Sequence, residues 1–176
     1  IADEAENRLL DRAATGEIVI SGPNVTLGYE GNPKANAENF FEAGGMRWFR
    51  TGDQGAFDAE GYLRLTGRLK EIINRGGEKI SPLEVDAALL SHPEIAQVVC
   101  FAVPHPKLGE EIAAAAVLAE GSSLDEQGIR AFAAERLADF KVPRRVLLLD
   151  EIPKGATGKI QRIGMAETLG LMEADA

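Results

Sequence analysis

The chain has 176 residues, a formal net charge of −9 and a pI near 4.8, so its surface is not suited to neutralising the phosphates of a nucleic acid. Hydrophobic residues make up 45% of the sequence, which is enough for a core, but the longest apolar run, residues 112–119, is far shorter than the roughly 20 residues of a membrane helix. The single cysteine, Cys100, permits neither an internal disulfide nor a cysteine metal cluster and suits a reducing cytoplasm. The composition therefore predicts a globular cytoplasmic protein with no membrane span and no nucleic-acid partner.

The first part of the chain is predicted to be β-rich. A strand over residues 15–22 is bracketed by glycines, a short helix is predicted around residues 37–41, and residues 56–65 read as a hairpin turned by Asp58-Ala59-Glu60-Gly61. These few strands would need partners that this chain does not supply. Because the sequence also opens on Ile1 and not on methionine, we expect a fragment of a longer protein.

A second hairpin follows, with glycines at its tip. Residues 70–73 are predicted as a strand, residues 74–77 as the turn and residues 78–80 as the return strand. Glycines at such a tip allow positive φ and let a ligand approach bare main chain. Ser81 is then predicted to cap a helix that begins at Pro82.

Beyond this hairpin, helices alternate with strands. Residues 95–103 and 111–118 are apolar runs typical of covered strands, although four alanines in the second leave a helix open. Ser123 with Glu126 indicates a capped helix, residues 146–149 form a further strand, and a last amphipathic helix follows the loop at residues 153–160. We therefore predict an α+β fold whose C-terminal part has a short central sheet flanked by helices. The predicted domains are residues 1–68 and 69–176.

Three places could carry chemistry. Asp53 follows a strand and could accept hydrogen bonds from the two hydroxyls of a ribose, although an aspartate after glycine is also common in plain turns. The glycine hairpin is the second place, and a solvated turn is its alternative. The third is Lys159 in a glycine-rich loop, which is not a phosphate-binding loop because Pro153 and Ile160 stand where that motif requires glycine and serine or threonine. A loop lysine could still bring a positive charge to an anionic site, or be merely solvated.

Four stretches, taken in order, carry a resemblance to a known family. They are GEIVISGPNVTLGY, RWFRTGD, DAEGYLRLTGRLKEIINRGGEKISPLEVD and PKGATGKIQR. In this order and at these distances they resemble the C-terminal third of acyl-CoA synthetases, in the adenylate-forming superfamily. INRGGEKISP is most similar to the branch of oxalate-CoA, medium-chain acyl-CoA and hydroxycinnamate-CoA ligases.

The resemblance implies roles in nucleotide binding and in a domain movement. Asp53 would hold the ribose hydroxyls of ATP, and Arg68 would add a charged contact to the same nucleotide. Lys70 falls on the family's hinge, about which the C-terminal domain swings between two poses. Lys159 would be the catalytic residue that reaches the carboxylate and the α-phosphate in the adenylate-forming pose.

The resemblance also implies roles for the glycine hairpin. Gly76 and Gly77 would line the pantetheine passage of coenzyme A in the thioester-forming pose. Asn74 stands near the acyl-adenylate, where related ligases carry a lysine, so its role differs from the family's pattern. No metal-binding residue is predicted in this chain.

The implied enzyme is an AMP-forming acid–thiol ligase of fatty acid metabolism that uses a carboxylic acid, ATP, Mg²⁺ and coenzyme A. Its phosphate loop and acyl pocket would belong to a large N-terminal domain that is missing here, so this chain alone should have no ligase activity. Two alternatives stay open at this point. One is an adenylation domain that loads a carrier protein, and the other is a lid-fold module that binds without catalysis.

Overall fold

A computed structural model describes residues 1–172 and divides the chain into two compact units, Ile1–Leu69 and a second that begins at Lys70. Both units combine strands with helices, so the predicted α+β class is confirmed. Within the described residues, none of the helices has the length and apolar character that crossing a membrane requires.

The first unit is an antiparallel sheet with one short helix. Its elements are β1 (Gly16–Ile20), α1 (Pro33–Asn39), β2 (Phe40–Ala43), β3 (Met46–Phe57) and β4 (Leu63–Arg68). The long strand β3 is central because β1, β2 and β4 all pair with it. The hairpin from β3 to β4 forms as predicted, since Asp58 Oδ1 accepts the backbone N–H of Tyr62 at 2.9 Å. Leu63 and Leu65 of β4 are 45% and 60% exposed.

The second unit is built on one five-stranded sheet. Its strands are β5 (Ile73–Arg75), β6 (Glu78–Ile80), β7 (Ile95–His105), β8 (Gly109–Leu118) and β9 (Arg145–Leu148). Its helices are α2 (Pro82–Leu90), α3 (Glu126–Ala134) and α4 (Met165–Thr168), with 3₁₀ turns at Leu69–Glu71 and Asp139–Lys141. The order is β6-β5-β8-β7, and β9 pairs with β8 in parallel.

Strand β8 lies at the centre of two apolar layers. Ala113–Ala116 are fully buried and alternate between the two layers, so the strand prediction for this run is confirmed over the helical alternative. One layer packs against α2 and α3 through Val85, Leu89 and Ile129. The other contains Ile152 and Met165 of the C-terminal segment. Both faces of the sheet are therefore covered.

Three local predictions are corrected by the structure. The strand expected at residues 70–73 begins only at Ile73, because Leu69–Glu71 form a 3₁₀ turn. The N-cap of α3 is Asp125 and not Ser123, since the Asp125 side chain accepts the Gly128 N–H. Ser81 does stand at the N-cap of α2, but its side chain makes no capping hydrogen bond.

Candidate functional site

Asp53 and Arg68 lie together in the first unit. They are directly opposite each other on β3 and β4, and Arg68 Nε lies 2.8 Å from Asp53 Oδ1. The side chains are 25% exposed for Asp53 and 59% for Arg68. The pair is thus reachable by a ligand, and such an exposed ion pair contributes little to stability.

The segment before Asp53 is held by a buried carboxylate that the sequence analysis did not single out. Glu17 of β1 is 4% exposed, pairs with the Arg50 guanidinium and accepts the Gly52 N–H at 3.0 Å. Gly52 has a φ of +75°, where glycine is favoured. Thr51 Oγ1 donates to Ile18 O at 2.7 Å and accepts the Asp53 N–H at 3.1 Å. These bonds fix the backbone from which the Asp53 carboxylate projects.

The tip of the hairpin between β5 and β6 presents bare main chain. Gly76 and Gly77 are exposed and have φ values of 59° and 96°. The Gly76 N–H donates to Leu108 O at 2.9 Å, and a Cβ at Gly76 would lie 3.1 Å from Leu108 Cδ2. A Cβ at Gly77 would meet nothing within 4 Å. The open side of this tip is therefore at Gly77.

Two acidic residues at the start of β8 anchor this hairpin. The Asn74 N–H donates to Glu110 Oε2 at 2.6 Å, and Arg75 Nε lies 2.7 Å from Glu111 Oε1. Glu111 is 3% exposed, so its pair with Arg75 is buried. Asn74 is an exposed residue, and its side chain carries no charge. Sequence reasoning missed both glutamates, although two acidic residues directly before a long apolar run were the available signal.

Lys159 lies on a closed turn. Lys154 and Ile160 pair as an isolated bridge, and the Gly155 N–H donates to Lys159 O at 2.8 Å. The Lys159 side chain is exposed, and no residue in the described part of the chain forms an ion pair or hydrogen bond with it. The turn thus fixes the lysine backbone while the ammonium group stays available to an anion.

The segment after this turn is joined to two other elements by the guanidinium of Arg162, which is only partly exposed. Arg162 Nε lies 3.1 Å from Glu71 Oε2, and Arg162 Nη2 lies 2.7 Å from Asp86 Oδ2 on α2. Burial raises the pKa of Asp86 above its ordinary value of 3.8, and the Arg162 charge offsets part of that rise. Burial also raises the pKa of the Cys100 thiol well above its ordinary value, with the Asp86 carboxylate as the next cause. Cys100 is therefore an unreactive core residue.

The elements that carry the glycine hairpin and Lys159 are anchored in different layers. Ile73 and Ile80 of the hairpin pack in the layer that includes α2 and α3. Ile152 and Met165, which flank the Lys159 turn, pack in the opposite layer. Lys70 is exposed in the 3₁₀ turn that precedes the hairpin. The buried anchors of these two elements therefore lie on opposite faces of the sheet.

Within residues 1–172, no three histidine, cysteine or carboxylate side chains come together as a metal site. The described residues consequently offer the negative and positive groups described above, but no ligand set for a cation.

Comparison with known proteins shows which proteins this chain is similar to. Residues 84–159 match the family described as AMP-binding enzyme C-terminal domain. A probable CoA ligase of Humulus lupulus, CCL9, is 58% identical over 153 residues, which are 87% of this chain and 28% of that protein. An oxalate–CoA ligase of Arabidopsis thaliana is 58% identical over 147 residues, 84% of this chain and 28% of that protein.

A solved structure supports the same placement. The crystal structure of ATP-bound MatB from Rhodopseudomonas palustris matches 96% of this chain and 33% of its own, with a TM-score of 0.86 and 31% identity. The chain thus spans about a third or less of the proteins it matches. The resemblance indicated by the four sequence stretches is confirmed. Residues 84–159 therefore form an AMP-binding enzyme C-terminal domain, as the four stretches indicated.

Proposed function

We propose that this chain is the C-terminal part of an ATP-dependent carboxylate–CoA ligase. The observation that carries the proposal is Lys159, an exposed lysine without a partner among the described residues, held on a closed turn in a chain 58% identical to an oxalate–CoA ligase. The reaction has two halves. The acid attacks ATP to give acyl-AMP and pyrophosphate, and the thiol of coenzyme A then displaces AMP to give the thioester.

In the first half-reaction, this chain would supply charge and nucleotide contacts. The Asp53 carboxylate would accept hydrogen bonds from the ribose hydroxyls, and Arg68, already paired with Asp53, would add a positive charge beside the nucleotide. The Lys159 ammonium would stabilise the negative charge that develops on the carboxylate and α-phosphate. The hydrogen bonds around Gly52 support this role because they hold Asp53 in place before ATP arrives.

In the second half-reaction, the second unit would turn about Lys70. Gly77 would then present main chain without a side chain to the pantetheine arm of coenzyme A. The anchoring of the hairpin and of the Lys159 turn in opposite layers supports such alternation, since each layer can face the reaction in turn. Asn74 would contribute no charge, in contrast to the lysine of related ligases.

The part of the chain that the structure describes offers no group of side chains that could hold Mg²⁺. We also propose that the enzyme works in the cytoplasm, which a single, buried, free cysteine, Cys100, suits.

Oxalate is the first acid to test, because oxalate–CoA ligases of Arabidopsis thaliana and Saccharomyces cerevisiae are 58% and 52% identical to this chain. The test uses the full-length enzyme with Lys159→Ala. ATP–pyrophosphate exchange should fall about 100- to 1,000-fold, the range seen when one stabilising donor is removed from a transition state. Conversion of supplied oxalyl-AMP to thioester should change little.

Lys154→Ala is the matched control, because Lys154 lies on the same turn but pairs with Glu151. It should leave both half-reactions near the wild-type rates. Equal loss of both half-reactions in Lys159→Ala would contradict the role given to Lys159. Absence of exchange in the wild-type enzyme with oxalate and with a panel of other acids would contradict the ligase itself.

A further inference from the structure

Arg162 makes two ion pairs that cross the second unit. Its side chain is 15% exposed, and the partners Glu71 and Asp86 are 25% and 10% exposed. Glu71 belongs to the 3₁₀ turn at Leu69–Glu71, and Asp86 belongs to α2. One guanidinium therefore joins the C-terminal segment to two elements that lie far earlier in the chain.

The position of Arg162 is closely determined by these contacts. Asp86 Oδ2 binds the guanidinium while Asp86 Oδ1 accepts the Cys100 N–H of β7 at 2.7 Å, so the carboxylate is held from two sides. The planar fork of arginine can reach two carboxylates in fixed directions, which lysine cannot do. A carboxylate as little exposed as that of Asp86 is unfavourable in free energy without a partner, so the ion pair with Arg162 is expected to persist.

Arg162 also lies close in sequence to the Lys159 turn. The bridge that closes the turn ends at Ile160, and the next buried anchor after it is Met165. Between these two points, Arg162 ties the segment to Glu71, the neighbour of Lys70. Arg162 and Lys70 also line the same open cavity, of about 390 Å³.

We propose that Arg162 is a positioning residue for Lys159, which fixes the base of the lysine turn to the segment that carries Lys70. The inference rests on the proposed function, in which Lys159 acts on the adenylate and Lys70 is the hinge. With this link in place, a rotation at Lys70 carries the lysine turn along as part of one body. Without it, the hydrogen bonds of the turn still form but open more often, so its ammonium group is no longer held at a defined place.

The kinetic test replaces Arg162 by methionine in the full-length enzyme. Arg162→Met should lower ATP–pyrophosphate exchange roughly 30- to 100-fold, because a small misplacement of a catalytic group has an effect of this size. The thioester step from supplied acyl-AMP should stay within about 3-fold of wild type, since only the Lys159-dependent step is displaced. Arg136→Met, which removes an exposed arginine of the same unit, is the matched control and should change neither step.

A double variant separates positioning from general damage. If Arg162 acts through Lys159, Arg162→Met should cause no further loss of exchange in the Lys159→Ala background. Loss of both half-reactions together, with a further loss in that background, would show a merely structural role and overturn the proposal.

A second readout does not depend on ligase activity. Hydrogen exchange of the Gly155 and Gly158 amides, which are bonded within the turn, should quicken in Arg162→Met but not in Arg136→Met. The amides of β8 should be unchanged. If wild-type enzyme showed no adenylation at all, the proposed function would fail while this experiment still tested the link between Arg162 and the lysine turn.

If Arg162→Met does not fold, Glu71→Gln takes its place, because it weakens one of the two ion pairs of Arg162. Unchanged exchange at both glycines in a folded variant would overturn the inference.

Discussion

Replacing Gly77 by alanine should strain the hairpin tip without creating a clash. Gly77 has a φ of +96°, and a Cβ there would meet nothing within 4 Å. A left-handed backbone costs a residue with a Cβ roughly 1–2 kcal/mol, and the unfolded chain does not carry that cost. Gly76→Ala adds a contact at 3.1 Å with Leu108 Cδ2, the end of a flexible side chain that can move. Both variants should therefore lose about 1–2 kcal/mol of unfolding free energy.

The stability assay is urea unfolding of this chain, followed by circular dichroism. Gly121→Ala is the matched control, because Gly121 has a φ of +79° and also opens onto free space, yet lies between β8 and α3. It should lose a similar amount of stability. The functional assay uses Gly77→Leu in the full-length enzyme, where the thioester step should slow roughly 100-fold and adenylation should stay near wild type, as expected when a reacting group is misplaced. Gly121→Leu should affect neither step.

Two results would refute this reasoning. Unchanged unfolding free energy in Gly77→Ala would mean that the tip relaxes easily into a conformation that alanine accepts. A wild-type rate of the thioester step in Gly77→Leu would mean that coenzyme A does not pass this tip.

Three other perturbations probe separate parts of the chain. Asp53→Ala in the full-length enzyme should raise the KM for ATP about 10-fold or more, because a hydrogen bond to a charged group contributes about 1.5–3 kcal/mol. The control Glu60→Ala, in the nearby turn, should leave the KM for ATP unchanged. Asp86→Asn should change the pH dependence of stability. Burial raises the pKa of Asp86 in the folded state above 3.8, so the stability that Asp86 contributes falls as pH rises from 3.8 through the folded-state pKa. Urea unfolding between pH 4 and 7 should show the wild type losing stability relative to Asp86→Asn, and equal slopes would contradict the burial argument. Calorimetric titration of this chain with ATP should give a Kd weaker than about 1 mM, and tight binding would contradict the view that most phosphate contacts lie elsewhere.

Local signals explain what the sequence could predict. Pro82 at the start of α2 and the glycine pair at the hairpin tip act within a few residues, so their effects can be read directly. The burial of Ala113–Ala116 on both faces of one strand was harder to predict, because alanine suits helices and covered strands alike. The sequence indicated Ser123 as the N-cap of α3, and only the structure shows that Asp125 occupies that position.

Interactions between distant parts of the chain could not be predicted. Arg162 and Glu71 are separated by 91 positions, and Arg50 and Glu17 by 33, so no local period or motif connects them. Each pair needs the folded sheet to bring it together. The roles given to Lys159, Asp53, Arg68, Lys70, Asn74, Gly76 and Gly77 stay predictions, as does the assignment of residues 1–68 to a larger domain.

The alanines of β8 have a mechanical consequence. Ala113–Ala116 project only methyl groups, so helices on one side and the C-terminal segment on the other can approach the strand backbone closely. Protein interiors are close-packed, so they have low compressibility and transmit displacement instead of absorbing it. In the proposed cycle, the second unit would then rotate as a rigid body. One rotation would move the Lys159 ammonium group away from the reaction and bring Gly76 and Gly77 towards it.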